Sequence, residues 1–435
     1  MGDNDQRWTR NGRFVEGRKT VIMDSDSARG VDRRRLLGWG GLAAAGVAVA
    51  GVPLVGVRPG HADPAPADAG LPPDTLPGGA YDRYLARLAA EGRFSGVVVL
   101  SHRGRTVLSR SYGMADREKG IRNHEGIAVS LSSAAKPFCA VAVLQLVQQG
   151  RLRLTDTVGT HLTGFPAEIA DQVTVHHMLS DTSGLETPEQ DLERVFQSRE
   201  EVREYNERWT RQARLVAAPG TGTNGHSGAN FAIPVQIVEA VTGMTYWDYL
   251  EENIFRRAGM TGSAFCTRPQ WLTDKHIAHS YMTVADGSQV DAVRNLDQGS
   301  PNPYELGKNP GRNFIDYDGF ATAPDLVRFT RALYDGTVLD RVYGEVLTAA
   351  KLPHAPQPEG GRSASAETSY GAYLMAVAIV NGQWLYSRAG VNPGSAANWS
   401  VYPHTDWVGV VLSNSDSAPL QEILQQETLA VTGAR

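Results

Sequence analysis

Ser130-Leu-Ser-Ser-Ala-Ala-Lys136-Pro-Phe138 runs directly into Cys139-Ala-Val-Ala-Val-Leu-Gln-Leu-Val-Gln-Gln-Gly150, and the reading of this stretch decides the fold. Val141, Leu144 and Val147 recur every three residues with Ala140, Val143 and Leu146 beside them, which predicts a helix buried on most sides. Ser133 is expected at the helix start, a favoured place for serine. Pro137 fits the first turn, where its missing N–H is not needed. Residues three apart share a helix face, so the Ser133 hydroxyl and the Lys136 amine can meet near the positive end of the helix dipole. The chemical meaning is specific. A serine hydroxyl is a weak nucleophile until a neighbouring base takes its proton. A lysine serves as that base when burial or nearby cations leave it partly neutral. Chance alone places a Ser three before a Lys in roughly one such sequence in three, so the surroundings must decide.

The chain has 435 residues, 41% hydrophobic and 20% charged, enough for one large domain or two subdomains. No basic block, heptad run or internal repeat points to nucleic acid or a coiled coil. Near the N-terminus Asp32-Arg33-Arg34-Arg35-Leu36-Leu37 precedes an uncharged stretch from Gly38 to Val57, and Gly60-His61-Ala62 offers a small-residue cleavage site before Asp63. This resembles a twin-arginine export signal. A retained membrane anchor is the competing reading, since twenty uncharged residues could span a bilayer. Met23 is an alternative start. The expected organisation is a signal over 1–62, a proline-rich linker over 63–77 and one domain over 78–435, with a secreted or cell-envelope location. Residues 1–62 carry ten Lys/Arg against six Asp/Glu, a net +4 that leaves the remainder at −9 of the whole chain's −5. An acidic exported protein does not suggest polyanion binding. Cys139 and Cys266 cannot make a disulfide framework. Buried free thiols are the default, with pairing between them left open.

Along the body, Tyr81, Tyr84, Leu85 and Leu88 give a short amphipathic helix, and 96–101 and 105–110 a β-hairpin across His102-Arg-Gly104. A short helix over 173–185 is expected to close at Gly184. Charged helical sequence follows over 190–215, then the glycine-rich Pro219–Gly228 loop. Helices are expected over 230–242, 246–255, 323–334 and 419–429, and strands over 372–380, 383–388, 396–402 and 407–413. Residues 261–316 show no clear period. Strands at both ends can pair in one antiparallel sheet, with the helical middle inserted. Sheet is thus expected from about 78–130 and 366–435, with the helical part over about 131–365, and a pocket at the junction.

These blocks, in this order, resemble the serine β-lactamase and D,D-peptidase superfamily in its class C-like branch of β-lactamases, esterases and D-alanyl-D-alanine carboxypeptidases. Ser133-Ala-Ala-Lys136-Pro-Phe and its helix resemble the nucleophile helix. Val173–Leu185 resembles the "T-x-x-H-x-L-x-x-T-S-G-L" segment. Pro219-Gly-Thr, Asn230-Phe-Ala and Val241-Thr-Gly243 resemble the second-motif region, Thr322-Ala-Pro-Asp-Leu-Val-Arg-Phe a helix start, and Pro393-Gly394 the end of the third motif. The resemblance implies an α/β (α+β) β-lactamase/transpeptidase-like fold, an antiparallel sheet flanked by helices plus an inserted helical subdomain. Only the first motif is intact. Where the second normally reads Tyr-x-Asn, aligning on Asn230 places His226-Ser227-Gly228; aligning on Pro219 places Gly225. Where the third normally reads Lys/His-Thr/x-Gly, this chain has Arg388-Ala389-Gly390.

Carried onto these positions, the resemblance implies Ser133 as nucleophile, Lys136 as base, and the N–H groups of Ser133 and Val391 as oxyanion donors. Arg388 would bind an acidic substrate group, its planar fork suiting a carboxylate. Gly390 would let substrate backbone approach, and Ser227 would line the substrate site. His226 could take the tyrosine's proton-transfer role, since an imidazole works near neutral pH. His176 and His177 are expected to pack structurally, and His276 and His279 form too loose a pair to propose zinc. No metal or cofactor is expected. The expected partner is a small-molecule or peptide-like substrate, with no nucleic acid and a membrane contact only through an uncleaved signal. The functional expectation is an exported serine hydrolase acting through a Ser133 acyl-enzyme on an amide, lactam or ester. The alternatives are an acyltransferase or maturation peptidase of natural-product biosynthesis using the same acyl-enzyme, and a non-catalytic penicillin-binding-like protein.

Overall fold

The computed structural model describes residues 70–433 apart from 191–195, 197, 222–226, 285–286, 295–316, 318 and 354–365. The segment read above as an export signal, including Arg33 and Arg34, and His226 lie outside the described residues.

Eight strands form one antiparallel sheet: β1 (Gly96–His102), β2 (Arg105–Tyr112), β3 (Leu352–Pro353), β4 (Ala366–Gly371), β5 (Ala376–Val380), β6 (Gln383–Asn392), β7 (Ser395–Tyr402) and β8 (Trp407–Ser413). Their order across the sheet is β3-β4-β5-β6-β7-β8-β1-β2, so strands from the two halves of the chain meet where β1 pairs with β8. That junction explains why Val97-Val-Val-Leu100 is an unbroken apolar run. Val97 and Val99 enter one hydrophobic core and Val98 and Leu100 the other. Alternate residues of a strand point to opposite faces, so a sheet covered on both sides needs apolar residues at every position.

Behind the sheet lie α1 (Ala80–Ala90) and the terminal α8 (Leu420–Thr432), whose Tyr81, Leu85, Ile423 and Val431 pack on Val98, Tyr402 and Val411. In front lies the larger helical body: α2 (Lys136–Gln148), α3 (Val175–Leu179), α4 (Arg199–Thr210), α5 (Ala229–Thr242), α6 (Tyr246–Leu250) and α7 (Ala323–Tyr334). Every residue of α2 from Lys136 to Leu146 is buried, as its all-round apolar composition predicts. α5 stops at Gly243, whose φ of 73° gives the left-handed cap that glycine adopts without strain. α7 starts where the sequence suggests, because Thr322 accepts from Asp325 N–H and Ala323-Pro opens the first turn.

The structure departs from the sequence reading in several places; the strand expected over 372–380, for one, begins only at Ala376, after a turn that follows β4. Ser133 does not cap the helix: it sits inside a 3-10 turn, Ser132–Ala135, that precedes α2. The expected 173–185 helix ends at Leu179, because the chain turns at Asp181 and Gly184 before a short strand, Leu185–Glu186. The strand expected over 383–388 continues to Asn392, since β7 supplies partners along its whole length. Among the described residues no helix is long and apolar enough to cross a membrane.

Candidate active site

The site forms where β6 outruns its neighbour. The β5 ladder ends at Ala376 opposite Ser387, while Arg388–Asn392 continue beyond it, paired with β7 on one side and set against the 3-10 turn on the other. The turn is fastened to this overhang at several points. Ser132, at a φ of 50°, donates its hydroxyl to the Val391 carbonyl at 3.0 Å. Arg388 Nε donates to the Ser133 carbonyl at 3.0 Å. Trp399 of β7 donates its indole N–H to the Ala134 carbonyl at 3.2 Å. Gly390 allows the contact: a Cβ there would collide with the Leu131 carbonyl oxygen and lie 2.5 Å from Ala134 N and 2.7 Å from Ser133 N. A left-handed non-glycine residue such as Ser132 costs on the order of 1–3 kcal/mol and persists only where surrounding contacts fix it. Here those contacts are the overhanging strand.

This anchoring presents Ser133 toward Lys136. Lys136 Nζ stands 2.7 Å from Ser133 Oγ, with its side chain 7% exposed and the Phe231 ring 5.6 Å away. A half-buried hydroxyl within hydrogen-bond reach of an almost fully buried amine is the geometry a general base needs. Gly390, one strand position from Val391, lies against Ser133 N, so the backbones of Ser133 and of β6 meet beside the hydroxyl. Val391 is 42% exposed, leaving this edge open to solvent.

The structure therefore brings together Ser133, Lys136, Arg388, Gly390 and Val391. Arg388 makes a contact that the sequence did not show, clamping the carbonyl of Ser133 itself. Ser227 heads α5, where its hydroxyl accepts from Ala229 N–H at 3.3 Å. His226 lies outside the described residues. His176 bonds the Tyr373 hydroxyl at 2.7 Å, and His177 accepts the Thr174 N–H at 3.2 Å, closing the first turn of α3. Burial lowers the pKa of both imidazoles. His279 lies in a buried ion network with Asp291, Asp116 and Arg294. Both cysteines are free and buried, and burial pushes the Cys266 thiol up to about 12. Among the described residues no group of three or more His, Cys, Asp or Glu could hold a metal ion.

Sequence reasoning missed Asp181. It follows α3 at a φ of 56°, and its carboxylate accepts from Asn230 Nδ2 at 2.9 Å. Asn230 in turn accepts the Ser183 hydroxyl at 2.5 Å. Burial raises the Asp181 carboxyl, against the pull of Asn230, Arg388 and Lys136, all of which lower it. The signal available in the sequence was a lone charge inside Met-Leu-Ser-Asp181-Thr-Ser-Gly, otherwise apolar or small.

The sequence model of the Beta-lactamase family matches residues 81–431. Esterase EstB of Burkholderia gladioli is 40% identical over 109 residues, 24% of this chain and 28% of that protein. The chain spans 59% or less of the length of the first curated relatives it matches. Among solved structures, the penicillin binding protein from Bacillus halodurans superposes with a TM-score of 0.65 at 24% identity, covering 79% of this chain and 99% of that one. The D-amino acid amidase from Ochrobactrum anthropi SV3 gives 0.63 at 18% identity, covering 81% and 98%. The superposition, the eight-stranded antiparallel sheet and the Ser133–Lys136 pair agree with the family match over 81–431: the chain belongs to the Beta-lactamase family, with the serine β-lactamase/transpeptidase fold.

Proposed function

We propose that this protein hydrolyses small esters or amides through an acyl-enzyme on Ser133. The carrying observation is the 2.7 Å contact between Lys136 Nζ and Ser133 Oγ at the head of a buried helix. Lys136 takes the hydroxyl proton as Oγ attacks the substrate carbonyl carbon. The carbonyl π electrons move to oxygen, and the N–H groups of Ser133 and Val391 receive that charge. Collapse of the tetrahedral intermediate expels the alkoxide or amine, which takes up a proton. Water then attacks the ester on Ser133 and releases the acid. Gly390 leaves room for the substrate beside the strand, and Arg388 and Ser227 orient it. His226 is proposed to supply the proton that the family's tyrosine would. The esterase and amidase names among the relatives support carboxylic esters and amides as the substrate class.

Intact-mass analysis after incubation with a fluorophosphonate tests this reading. The native chain gains one adduct. Ser133→Ala gains none, and Lys136→Ala labels about 10²–10⁴-fold more slowly, the usual range for loss of a general base. Full labelling of Ser133→Ala at another serine would overturn the assignment.

Export by the twin-arginine route is part of the same proposal, with 1–62 as signal, 63–77 as linker and 78–435 as the catalytic domain. Sequencing of secreted protein should begin near Asp63, and secretion should stop when Arg33, Arg34 and Arg35 are all changed to lysine. Continued secretion of that variant would count against the route.

A further inference from the structure

Two segments run side by side at the nucleophile, residues 130–134 and 388–392, and their side chains join them in step. Arg388 Nε donates to the Ser133 carbonyl at 3.0 Å, Ser132 Oγ to the Val391 carbonyl at 3.0 Å, and Asn392 Nδ2 to the Ser130 hydroxyl at 3.1 Å. Residue numbers fall along one segment as they rise along the other, so the two run antiparallel. The β5 ladder has already ended at Ala376. These side-chain bonds stand where the ladder of another strand would.

The register fixes the direction of the Val391 peptide groups. Asn392 and Ser395 face each other across the two-residue Pro393-Gly394 turn, and such a pair closes the turn with its own hydrogen bonds. Hydrogen-bonded and non-hydrogen-bonded pairs alternate along an antiparallel ladder. The next pair, Val391 and Ala396, is therefore a non-hydrogen-bonded one, and Val391 turns both its N–H and its C=O away from β7. The Ser132 bond agrees, because it reaches the carbonyl from the side of the nucleophile's turn. The N–H of the same residue faces that side as well.

We infer that Ser132 is a positioning residue of the oxyanion hole: its hydroxyl, presented by a left-handed backbone, fixes Val391 so that the Val391 and Ser133 N–H groups converge on one point. The inference rests on the Ser133 acyl-enzyme reading. The side chain of Val391 does not anchor it, being 42% exposed, whereas Ser132 is buried and grips the residue by its carbonyl. Without that grip the N–H remains but loses its set direction, and a donor contributes most when it needs no reorganisation at the moment of reaction. Negative charge on the substrate oxygen develops only on the way to the tetrahedral intermediate. Acylation and deacylation both pass through it, so both steps slow alike, and the loss falls on kcat and spares KM.

Ser132→Gly removes the hydroxyl and keeps the φ of 50°, which glycine adopts without strain, so the turn stays folded. Asn392→Ala is the structural control: it cuts the neighbouring bond and leaves the Val391 carbonyl held. The test measures turnover of p-nitrophenyl butyrate and inhibition by phenylboronic acid in the native chain, both variants and Ser133→Ala. Boron accepts an electron pair from Ser133 Oγ as the hydroxyl proton passes to Lys136, and the tetrahedral adduct sets an oxygen where the oxyanion forms. In Ser132→Gly kcat should fall roughly 10- to 100-fold, short of the 10²–10³-fold or so that follows outright loss of a donor. KM should stay within about twofold, and the boronate inhibition constant should rise by roughly the factor lost from kcat. In Asn392→Ala kcat should fall less than about threefold. An unchanged kcat in Ser132→Gly, a loss carried by KM, or an equal loss of kcat in Asn392→Ala would overturn the role of Ser132 while turnover still depends on Ser133. Retained turnover in Ser133→Ala would overturn the serine reading and this inference with it.

Discussion

Lys136 in front of the sheet and Glu427 behind it are both buried ionisable side chains on helices, yet their surroundings differ. Lys136 meets the Ser133 hydroxyl at 2.7 Å, with an aromatic ring beside it and a partly exposed strand edge nearby. Glu427, on α8, is fully buried. One carboxylate oxygen accepts the Tyr402 hydroxyl at 3.2 Å and the other has no partner. A Cβ at Gly409 of β8 would collide with that carboxyl. Each face pays for taking an ionisable group out of water. In front, the buried amine meets the Ser133 hydroxyl beside a strand edge where Val391 is exposed. Behind, the carboxyl is held between Tyr402 and Gly409, and its ionisation acts on stability instead.

The comparison also separates two uses of glycine in the strands on either side of β7. Gly390 lets the nucleophile's turn press on β6; Gly409 lets a carboxyl press on β8. The first should break the chemistry. Gly390→Ala pushes Leu131 and the backbone N–H groups of Ser133 and Ala134 away from the strand. A misplacement of about 1 Å at a reacting centre costs on the order of 100-fold. The fluorophosphonate labelling rate should therefore fall by about that factor while α2 stays folded, checked by circular dichroism. A labelling rate within a few-fold of the native chain would show that the turn does not depend on this contact.

How much of this was legible in the sequence follows the range of the interactions. The α2 helix, the β1–β2 hairpin and α7 rest on local spacing and caps, and were readable from Val141, Leu144, the His102-Arg-Gly104 turn and Thr322-Ala-Pro. The Ser133–Lys136 pair was readable because three residues on a helical path bring side chains together. The 3-10 turn was not, because the left-handed Ser132 is stabilised by Val391, some 260 residues away. Asp181 stood at an unspecified position of a recognisable block, and its bond to Asn230 is made only when α5 packs beside it, 49 residues on. Glu427 sits in Leu-Gln-Glu-Ile-Leu-Gln-Gln-Glu427-Thr, which reads as a half-solvated helix. Its burial comes from β7 and β8 closing over it.

The back face supplies the smaller and slower-acting effect, a stability that depends on pH. Burial raises the Glu427 pKa from 4.5 to about 7, partly opposed by the nearby Ser400 and Tyr402 hydroxyls. The groups facing it are the hydroxyls of Ser400, Tyr402 and Tyr81, and Glu427 in turn raises the Tyr81 phenol, whose hydroxyl also lacks a partner. In the unfolded chain Glu427 would titrate near its ordinary value, so the folded state binds the proton more tightly. The stabilising contribution is then fully present below about pH 4.5 and is lost as pH rises through about 7. Glu427→Gln keeps the shape and an amide that Tyr402 can bond, but cannot ionise. Denaturant unfolding of the native chain should show stability falling by on the order of 2 kcal/mol between pH 5 and pH 8.5 from this group. In Glu427→Gln that part of the slope should vanish, making the variant the more stable protein at pH 8.5. Labelling of Ser133 should be unchanged at either pH, because the substituted side chain lies on the face of the sheet away from Lys136. An equal pH slope in both proteins would mean that Glu427 is solvated or paired in the folded state and that the back face does not titrate.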